Sequence, residues 1–343
     1  MNEMKILAVD VGYGNTKASW GADPSEEICF KSLAPSSSAD DSLLSGSSID
    51  RLDRVKVQVS GNSYLVGPEA WMAGGSYSLD PDYVQRNEYL ALLRGAIHYY
   101  FKKTGSVTRE LDVLALGLPV SSFSKYRDQL GKVGKFEHPV PIPRAFQAEF
   151  GHSVVVTAKK VIVLPQPVGA LRHSAGISGV PNGKQLGANS VNLVIDPGYK
   201  TFDWLISKGF QPDLTRSGSF PGGMSQILRD VSGVAGMELG VGQIDLVECE
   251  LALETGVLHA SGKKLPFDYQ RVADKSASEV VERFANAIDS GQRFDNIIMT
   301  GGGSKFYEKA LRKRFQDYDI TVRDDSVMTN ARGFRMIASD LLR

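Results

Sequence analysis

The chain has 343 residues, 42% hydrophobic and 23% charged, so it is long enough for two domains that each bury a core. Its 39 basic residues balance 39 acidic ones, which excludes a global field that would attract DNA or anionic lipid. We therefore expect no direct binding to nucleic acid or to membranes.

The cysteine content and the apolar pattern predict a cytoplasmic protein. Cys29 and Cys249 are far apart and form no metal-binding spacing, which is typical of a reduced compartment. The N-terminus lacks the apolar core of a signal peptide, and no apolar stretch approaches the ~20 residues that span a bilayer.

The first element in chain order is a short apolar strand that ends on Asp10 and leads into the glycine turn of residues 12–17. It recurs in altered form at residues 193–201, where the strand ends on Asp196. Phosphate oxygens need N–H donors and cations, and a carboxylate beside them is expected where Mg²⁺ intervenes. Two such hairpins predict two similar halves acting on one phosphate chain; the alternative for each is a tight turn with a solvated Asp.

The remaining elements alternate between strands and helices, which predicts an α/β protein. In the first half we predict a surface loop at 32–48, a hairpin at 55–59 and 64–66, a helix at 83–103, a strand at 111–118 and one or two strands at 154–164. In the second half we predict a helix from 168, a loop at 176–190, helices near 225–232 and within 243–254 and 269–290, a strand at 296–300, a helix at 305–315, a strand at 320–322 and a last helix at 327–342. We place lobe I at 1–165 with 327–343 returning to it, and lobe II at 166–326.

Three further features are weighed for chemistry. Residues 301–303 are glycines between a strand and a helix, which suits a phosphate or a flat ring near backbone but also suits a flexible loop. Gln166 lies between two prolines that stiffen it and could orient a water toward a γ-phosphate; the alternative is a solvent-facing loop residue. Neither turn is a complete dinucleotide fingerprint or P-loop, and the histidines show no ligand spacing.

Five segments in order resemble the signatures of the actin/Hsp70/sugar-kinase ATPase superfamily. Residues 7–19 resemble its first phosphate loop, 162–171 its first connecting segment, 193–205 its second phosphate loop, 298–311 its adenosine loop and 327–337 its second connecting segment. The resemblance implies an actin-like fold, with two ribonuclease-H-like lobes and a nucleotide cleft between them.

The resemblance also implies roles for single residues. Asp10 and Asp196 would face Mg²⁺ through water, Lys17 would reach the β- and γ-phosphates of ATP or ADP, and Gln166 would orient the attacking water. The nucleotide-binding residues expected are Gly12, Tyr13, Gly14, Asn15, Lys17, Gly198, Tyr199, Lys200, Thr201, Gly222, Gly223, Gly301, Gly302, Gly303 and Lys305.

Within the superfamily, the chain is most similar to bacterial plasmid-segregation proteins of the ParM/StbA type, on residues 8–17, 64–67, 117–120 and 330–334. An archaeal actin-like relative fits the same motifs. ParM proteins have Glu at the position of Gln166. The resemblance therefore implies that the chain hydrolyses nucleotide but does not imply how fast. The resemblance implies an ATPase, with GTP as an alternative nucleotide. It also implies head-to-tail filaments and a small DNA-binding adaptor on a plasmid centromere.

Other members of the superfamily supply the rival readings. A small-molecule kinase needs a carboxylate base, and residues 165–167 offer no acid. A non-polymerising scaffold tethered to membrane and a chaperone are further alternatives, for which we find neither an extra amphipathic segment nor a peptide-binding domain.

Overall fold

The computed structural model describes residues 4–37, 52–75, 77–78, 80, 82–176, 186–260, 262–288, 291–322 and 325–343. The chain divides into two compact units, Met1–Ile177 with Val327–Arg343 (the first unit) and Ser178–Ser326 (the second unit). The boundary between the two units therefore lies after residue 177, whereas the sequence pattern predicted it between residues 165 and 166. No described helix has the length and apolar content needed to cross a membrane.

The described strands and helices alternate along most of the chain. The strands are β1 (Ile6–Val11), β2 (Asn15–Ser19), β3 (Glu27–Lys31), β4 (Val55–Val59), β5 (Asn62–Val66), β6 (Glu110–Leu118), β7 (His138–Pro141), β8 (Ser153–Pro165), β9 (Val191–Pro197), β10 (Thr201–Lys208), β11 (Gln211–Pro221), β12 (Val257–Ala260), β13 (Lys263–Pro266), β14 (Asn296–Met299) and β15 (Ile320–Val322). The helices are α1 (Asn87–Thr104), α2 (Val120–Lys135), α3 (Gln147–Phe150), α4 (Gln166–Gly176), α5 (Met224–Leu239), α6 (Leu246–Thr255), α7 (Gln270–Ala287), α8 (Ser304–Arg314) and α9 (Thr329–Asp340).

The first unit is built on a six-stranded sheet in the order β3-β2-β1-β6-β8-β7. Strands β1, β6 and β8 are parallel, and β2 and β3 extend the sheet as antiparallel strands. All six residues of β1 are buried, as expected for a strand covered on both faces. Because parallel strands end at the same edge of a sheet, the residues that follow β1, β6 and β8 lie together there.

The second unit repeats the same order in a five-stranded sheet, β11-β10-β9-β14-β15. Here β9, β14 and β15 are parallel, and β10 and β11 are antiparallel to their neighbours. Helix α7 packs against α5 and α8 in the same unit. The shared strand order confirms the predicted α/β class and the two similar halves.

Most predicted elements are found, with shifted ends. The predicted helix at 83–103 starts later, because Tyr83–Gln85 is a separate 3-10 turn and α1 begins at Asn87. Its C-terminus is closed by Gly105, whose left-handed backbone (φ 68°) lets its N–H donate to the carbonyl of Phe101. On one face of α1, Leu93, Ile97 and Phe101 are buried and Leu90 is half-buried.

Other predictions need correction. The serine-rich segment is not entirely a surface loop, because Ser32 and Leu33 are buried; residues 38–48 of that prediction lie outside the described residues. Residues 177–185 of the predicted loop at 176–190 also lie outside them. Sequence patterns missed α2, β7, β11 and the hairpin of β12 and β13.

Candidate functional site

The first of the two Asp-Gly turns joins β1 to β2. The register of these two strands places Asp10 directly opposite Lys17. Directly opposed residues in an antiparallel pair point to the same face of the sheet. The Lys17 Nζ donates to Asp10 Oδ2 at 2.7 Å, with the Asp10 side chain fully buried and the Lys17 side chain 13% exposed. The buried carboxylate therefore has a cation built into the same hairpin.

Gln166 lies against the other oxygen of Asp10. It is the first residue of α4, immediately after β8, so the parallel strands bring it to the edge where β1 also ends. Its amide Nε2 donates to Asp10 Oδ1 at 2.7 Å, and its side chain is buried. The alternative of a solvent-facing loop residue is therefore wrong: Gln166 is helical, and Pro167 suits the first turn of that helix.

The backbone of the Asp10 turn is tightly closed and leaves no room for a side chain at Gly12. The Gly12 N–H donates to the carbonyl of Asn15 at 3.1 Å. A Cβ at Gly12 would lie 3.0 Å from that same carbonyl oxygen and 3.3 Å from the Nζ of Lys17. These close approaches favour glycine at this position of the turn.

Two contacts hold the tip of this turn. The ring of Tyr13 stacks on that of Tyr83, with centroids 5.3 Å apart and planes at 30°. The Gly14 carbonyl accepts from the Ser32 N–H at 2.8 Å. Tyr89, whose ring packs edge-on against Tyr83, has a pKa raised by burial and by the Asp10 charge, so its hydroxyl stays protonated.

Helices α4 and α9 cross at a pair of glycines beneath Gln166. A Cβ at Gly169 would overlap the backbone of Asn330, and a Cβ at Gly333 would overlap the backbone of Gly169. Phe334, in the same part of α9, sits where a Cβ on Gly117 at the end of β6 would go. Close packing of the second connecting segment therefore supports the start of α4.

The second turn, between β9 and β10, has the same closure but a different partner for its acid. The Gly198 N–H donates to the carbonyl of Thr201 at 2.8 Å. Across the strands, Asp196 is paired in register with Asp203, and both are buried. The Thr201 hydroxyl donates to Asp203 Oδ2 at 2.5 Å. Two carboxylates thus share one face where the first turn has an acid and a lysine.

The helix that follows β11 is anchored on the backbone of this second turn. The N–H groups of Gly222 and Gly223 donate to the carbonyl of Lys200 at 3.2 and 3.0 Å. The next two N–H groups, at the start of α5, donate to the carbonyls of Gly198 (2.9 Å) and Tyr199 (2.7 Å). A Cβ at Gly223 would overlap these carbonyls, so the close approach requires glycine there.

The third glycine segment, residues 301–303, meets the same turn. Gly301 has φ 88°, and a Cβ there would overlap Asp196 Oδ1. The Gly303 N–H donates to the carbonyl of Pro197 at 2.9 Å. Gly302 lies between them and is half-buried. The second unit thus gathers three predicted glycine segments around Asp196.

The side chain of Lys305, the last predicted nucleotide-binding residue, pairs with an acid of α6. Its Nζ forms an ion pair with the Glu254 carboxylate, and about half of the lysine side chain is exposed. Its assignment to nucleotide binding stays a prediction.

Two residues missed by sequence reasoning belong to this arrangement. Asp203 stands seven residues after Asp196, as Lys17 stands seven after Asp10, and that shared spacing is a signal that could have found it. Tyr307 of α8 donates its hydroxyl to the Gly222 carbonyl at 2.6 Å. Burial raises the pKa of Tyr307, so the hydroxyl remains a donor.

The donor groups fit a hydrated Mg²⁺ with a nucleotide. Mg²⁺ is usually held by one or two carboxylates, waters and phosphates rather than by an all-protein cage. Asp10 in the first unit and Asp196 in the second unit are each a buried carboxylate at the end of a strand, which is the type of ligand that this metal takes. Within the described ranges, no cluster of three or more His, Cys, Asp or Glu side chains forms a metal site.

Comparison with known proteins finds an actin-like domain in each half of the chain. The model for the N-terminal domain of actin-like proteins matches residues 8–169, and the model for the C-terminal part of archaeal MreB-like actin homologues matches residues 194–313. No curated protein sequence matches the chain significantly.

Solved structures share the fold at low sequence identity. An archaeal actin homologue, Ta0583, is 18% identical, covers 98% of this chain and 100% of its own, and superposes with a TM-score of 0.78. The same protein in complex with ADP is 19% identical, with coverage of 98% and 100% and a TM-score of 0.74. A 15-stranded ParM filament from Clostridium botulinum is 18% identical, with coverage of 98% and 99% and a TM-score of 0.74. These matches and the repeated strand order identify the chain as an actin-like protein, with the fold of ParM and the archaeal actin homologues.

Proposed function

We propose that this chain is an actin-like ATPase that assembles into nucleotide-dependent filaments and separates plasmid copies. The observation that carries the nucleotide part is the Asp10 carboxylate, buried with Lys17 on one oxygen and Gln166 on the other. A buried acid, a cation and an amide at one edge of the sheet are the groups that suit a metal, a phosphate and a water, respectively.

Each group has a proposed task. Asp10 and Asp196 hold the water shell of Mg²⁺, which when bound neutralises phosphate charge. Lys17 would turn from Asp10 toward the β- and γ-phosphates. The turns of residues 12–15 and 198–201 would cradle the phosphates, and backbone N–H groups that do not close the turns would donate to the phosphate oxygens. Gln166, at the same strand end as Asp10, would orient a water in line with the γ-phosphate.

The filament part of the proposal rests on the fold. The ParM structure from Clostridium botulinum is a filament, and the archaeal homologue was solved with ADP. A contact between two different surfaces of identical copies repeats without closing and generates a filament. Balanced net charge fits a protein that reaches a plasmid centromere through a small DNA-binding adaptor rather than by binding DNA itself.

The experiment is sedimentation and negative-stain microscopy with Mg²⁺ and ATP, a non-hydrolysable ATP analogue, GTP or ADP. We expect filaments with ATP or its analogue, fewer with ADP, and none when EDTA removes the metal. A chain that stays monomeric in every nucleotide while phosphorylating a metabolite would establish the kinase reading instead.

A further inference from the structure

Charge is distributed very unevenly within the second unit, although the whole chain is neutral. Residues 230–262 contain six acids, Asp230, Glu238, Asp245, Glu248, Glu250 and Glu254, and no Lys or Arg. This segment includes the C-terminal part of α5, all of α6 and the first strand of the small hairpin. Such a run gives this part of the surface a negative potential.

Several of these acids already have partners. Asp245 caps α6 by accepting from two backbone N–H groups, Glu254 pairs with Lys305, and Asp230 accepts from Ser276 at 2.6 Å. Glu248 is exposed, and its carboxylate forms no ion pair with any described residue.

Large apolar side chains are exposed on the same two helices. Met237, next to Glu238 in α5, is 80% exposed, and Leu251 is 54% exposed. Leu251 follows Glu248 by one helical turn, so the two lie side by side on α6. We call Met237, Glu238, Glu248 and Leu251 the acidic surface. Helices α5 and α6 pack against each other, and each exposes an apolar side chain close to an acid. Exposed apolar side chains with charged neighbours are common in protein interfaces.

The first unit carries a surface of opposite sign at the end of α2. This helix has four cations and one acid, and two of the cations are paired, Lys125 with Asp82 and Arg127 with Asp128. Lys132 and Lys135, nearer its C-terminus, are exposed and form no ion pair with described residues.

An exposed aromatic ring completes this second surface. Phe136, which follows α2 directly, is 58% exposed. Lys132, Lys135 and Phe136 are three and four residues apart, so they share one side of the helix end. We call these three residues the basic end of α2. Because α2 begins just after β6, near Gly117 and Asp10, its basic end lies about 24 Å along the helix from the nucleotide edge.

We propose that the acidic surface of one copy binds the basic end of α2 on the next copy, which rests on the proposed self-assembly. The two surfaces have opposite charge and each exposes a large apolar side chain, so they are complementary. They also differ from each other, so pairing them leaves one of each free on every dimer and the assembly continues. Charge complementarity of this kind fixes partner and register.

Charge reversal tests this contact. The quantity measured is the critical concentration above which the chain sediments with Mg²⁺ and a non-hydrolysable ATP analogue. We expect Glu248→Lys, and separately Lys132→Glu with Lys135→Glu, to raise it about tenfold or more. Glu279→Lys on α7 and Lys103→Glu on α1 reverse exposed charges elsewhere and should leave it unchanged. A chain carrying all three reversals restores opposite charges across the contact and should regain assembly.

Mixing distinguishes this surface from the general proposal of filaments. The Glu248→Lys chain keeps its basic end and the lysine-reversed chain keeps its acidic surface. The two reversed surfaces also have opposite charges, so the mixture should form filaments of alternating chains at a concentration where neither variant sediments alone. If both charge-reversed variants form filaments at the wild-type critical concentration, the proposed contact is wrong although the chain self-assembles. The acidic surface would then be available to another partner, such as a basic adaptor. Failure of the combined chain to recover would also overturn the pairing. A wild-type chain that remains monomeric in both assays would remove self-assembly and this contact together.

Discussion

The two Asp-Gly turns share a backbone and differ in charge. In the first unit, Asp10 is opposite Lys17; in the second, Asp196 at the equivalent point is opposite Asp203. Both turns close by an N–H of the first glycine donating to a carbonyl three residues later. At this register position the first turn therefore has a lysine opposite its acid, and the second turn has another acid.

This difference in charge predicts that mutations in the two turns have different effects. A buried acid with its own lysine is stable without a ligand. If a metal ion bound this acid, the same lysine would be free to pair with an anionic phosphate. Two acids that face each other across a strand pair would together attract a divalent cation more strongly than one acid paired with a lysine. We therefore expect the first turn to respond to mutation chiefly in stability and the second chiefly in metal affinity.

Removing the lysine tests this contrast most strongly. Lys17→Ala leaves the buried Asp10 without its cation, so we expect a loss of about 3 kcal/mol in the free energy of unfolding, together with loss of nucleotide binding. Chemical denaturation and calorimetric titration with Mg-ATP measure the two effects. Lys159→Ala breaks an exposed ion pair with Asp112 and should cost less than about 1 kcal/mol. Equal costs for both variants would show that Asp10 does not depend on Lys17.

Gln166 tests whether the first turn also controls turnover. Gln166→Ala should bind nucleotide and assemble, release phosphate about a hundredfold more slowly, and leave persistent filaments, because orientation of water affects rate more than binding. Phosphate release and sedimentation are compared at matched protein concentration. Unchanged phosphate release would restrict Gln166 to supporting Asp10 and would require another group to place the water.

The second turn should behave differently. Asp196→Asn removes one of two facing acids, so we expect the unfolding free energy to hold while the Mg²⁺ dependence of nucleotide affinity weakens about 10–100-fold. Asp10→Asn provides the matched comparison, since it should reduce both quantities. If Asp196→Asn destabilised the chain as much as Asp10→Asn, the proposed difference between the turns would be contradicted.

A smaller effect separates the units by pH. Burial, with a contribution from Arg94, lowers the pKa of His138 in the first unit to about 4. Since the unfolded chain binds this proton more tightly, stability is complete above pH 6.5 and falls as the pH drops toward 4, by about 1 kcal/mol at pH 5.5. His138→Gln should remove this part of the acid sensitivity, and His259→Gln, at an exposed histidine of the second unit, should not. If the unfolding free energy of wild type and of His138→Gln fell equally with pH, His138 would not be the source of this acid sensitivity.

Sequence patterns predicted the elements with strong local signals and missed those set by tertiary packing. Asp10, Gly12 and Lys17 were found because a buried strand, a turn and a cation are adjacent in the chain. The contact of Gln166 with Asp10 was not predicted, because 156 residues separate them and only the parallel sheet joins their strand ends. The same holds for Tyr307 and Gly222, which are 85 residues apart. Helix α2 was missed because its apolar positions are few and glycines interrupt it.

Calorimetric titration of ATP, with and without Mg²⁺, tests most directly whether these two turns bind nucleotide. We expect one nucleotide per wild-type chain, bound more tightly with Mg²⁺, and a loss of that Mg²⁺-dependent affinity in both Asp10→Ala and Asp196→Ala while circular dichroism shows the folds retained. Affinity that is unchanged in both variants with the metal present would contradict the assignment of either turn to the nucleotide.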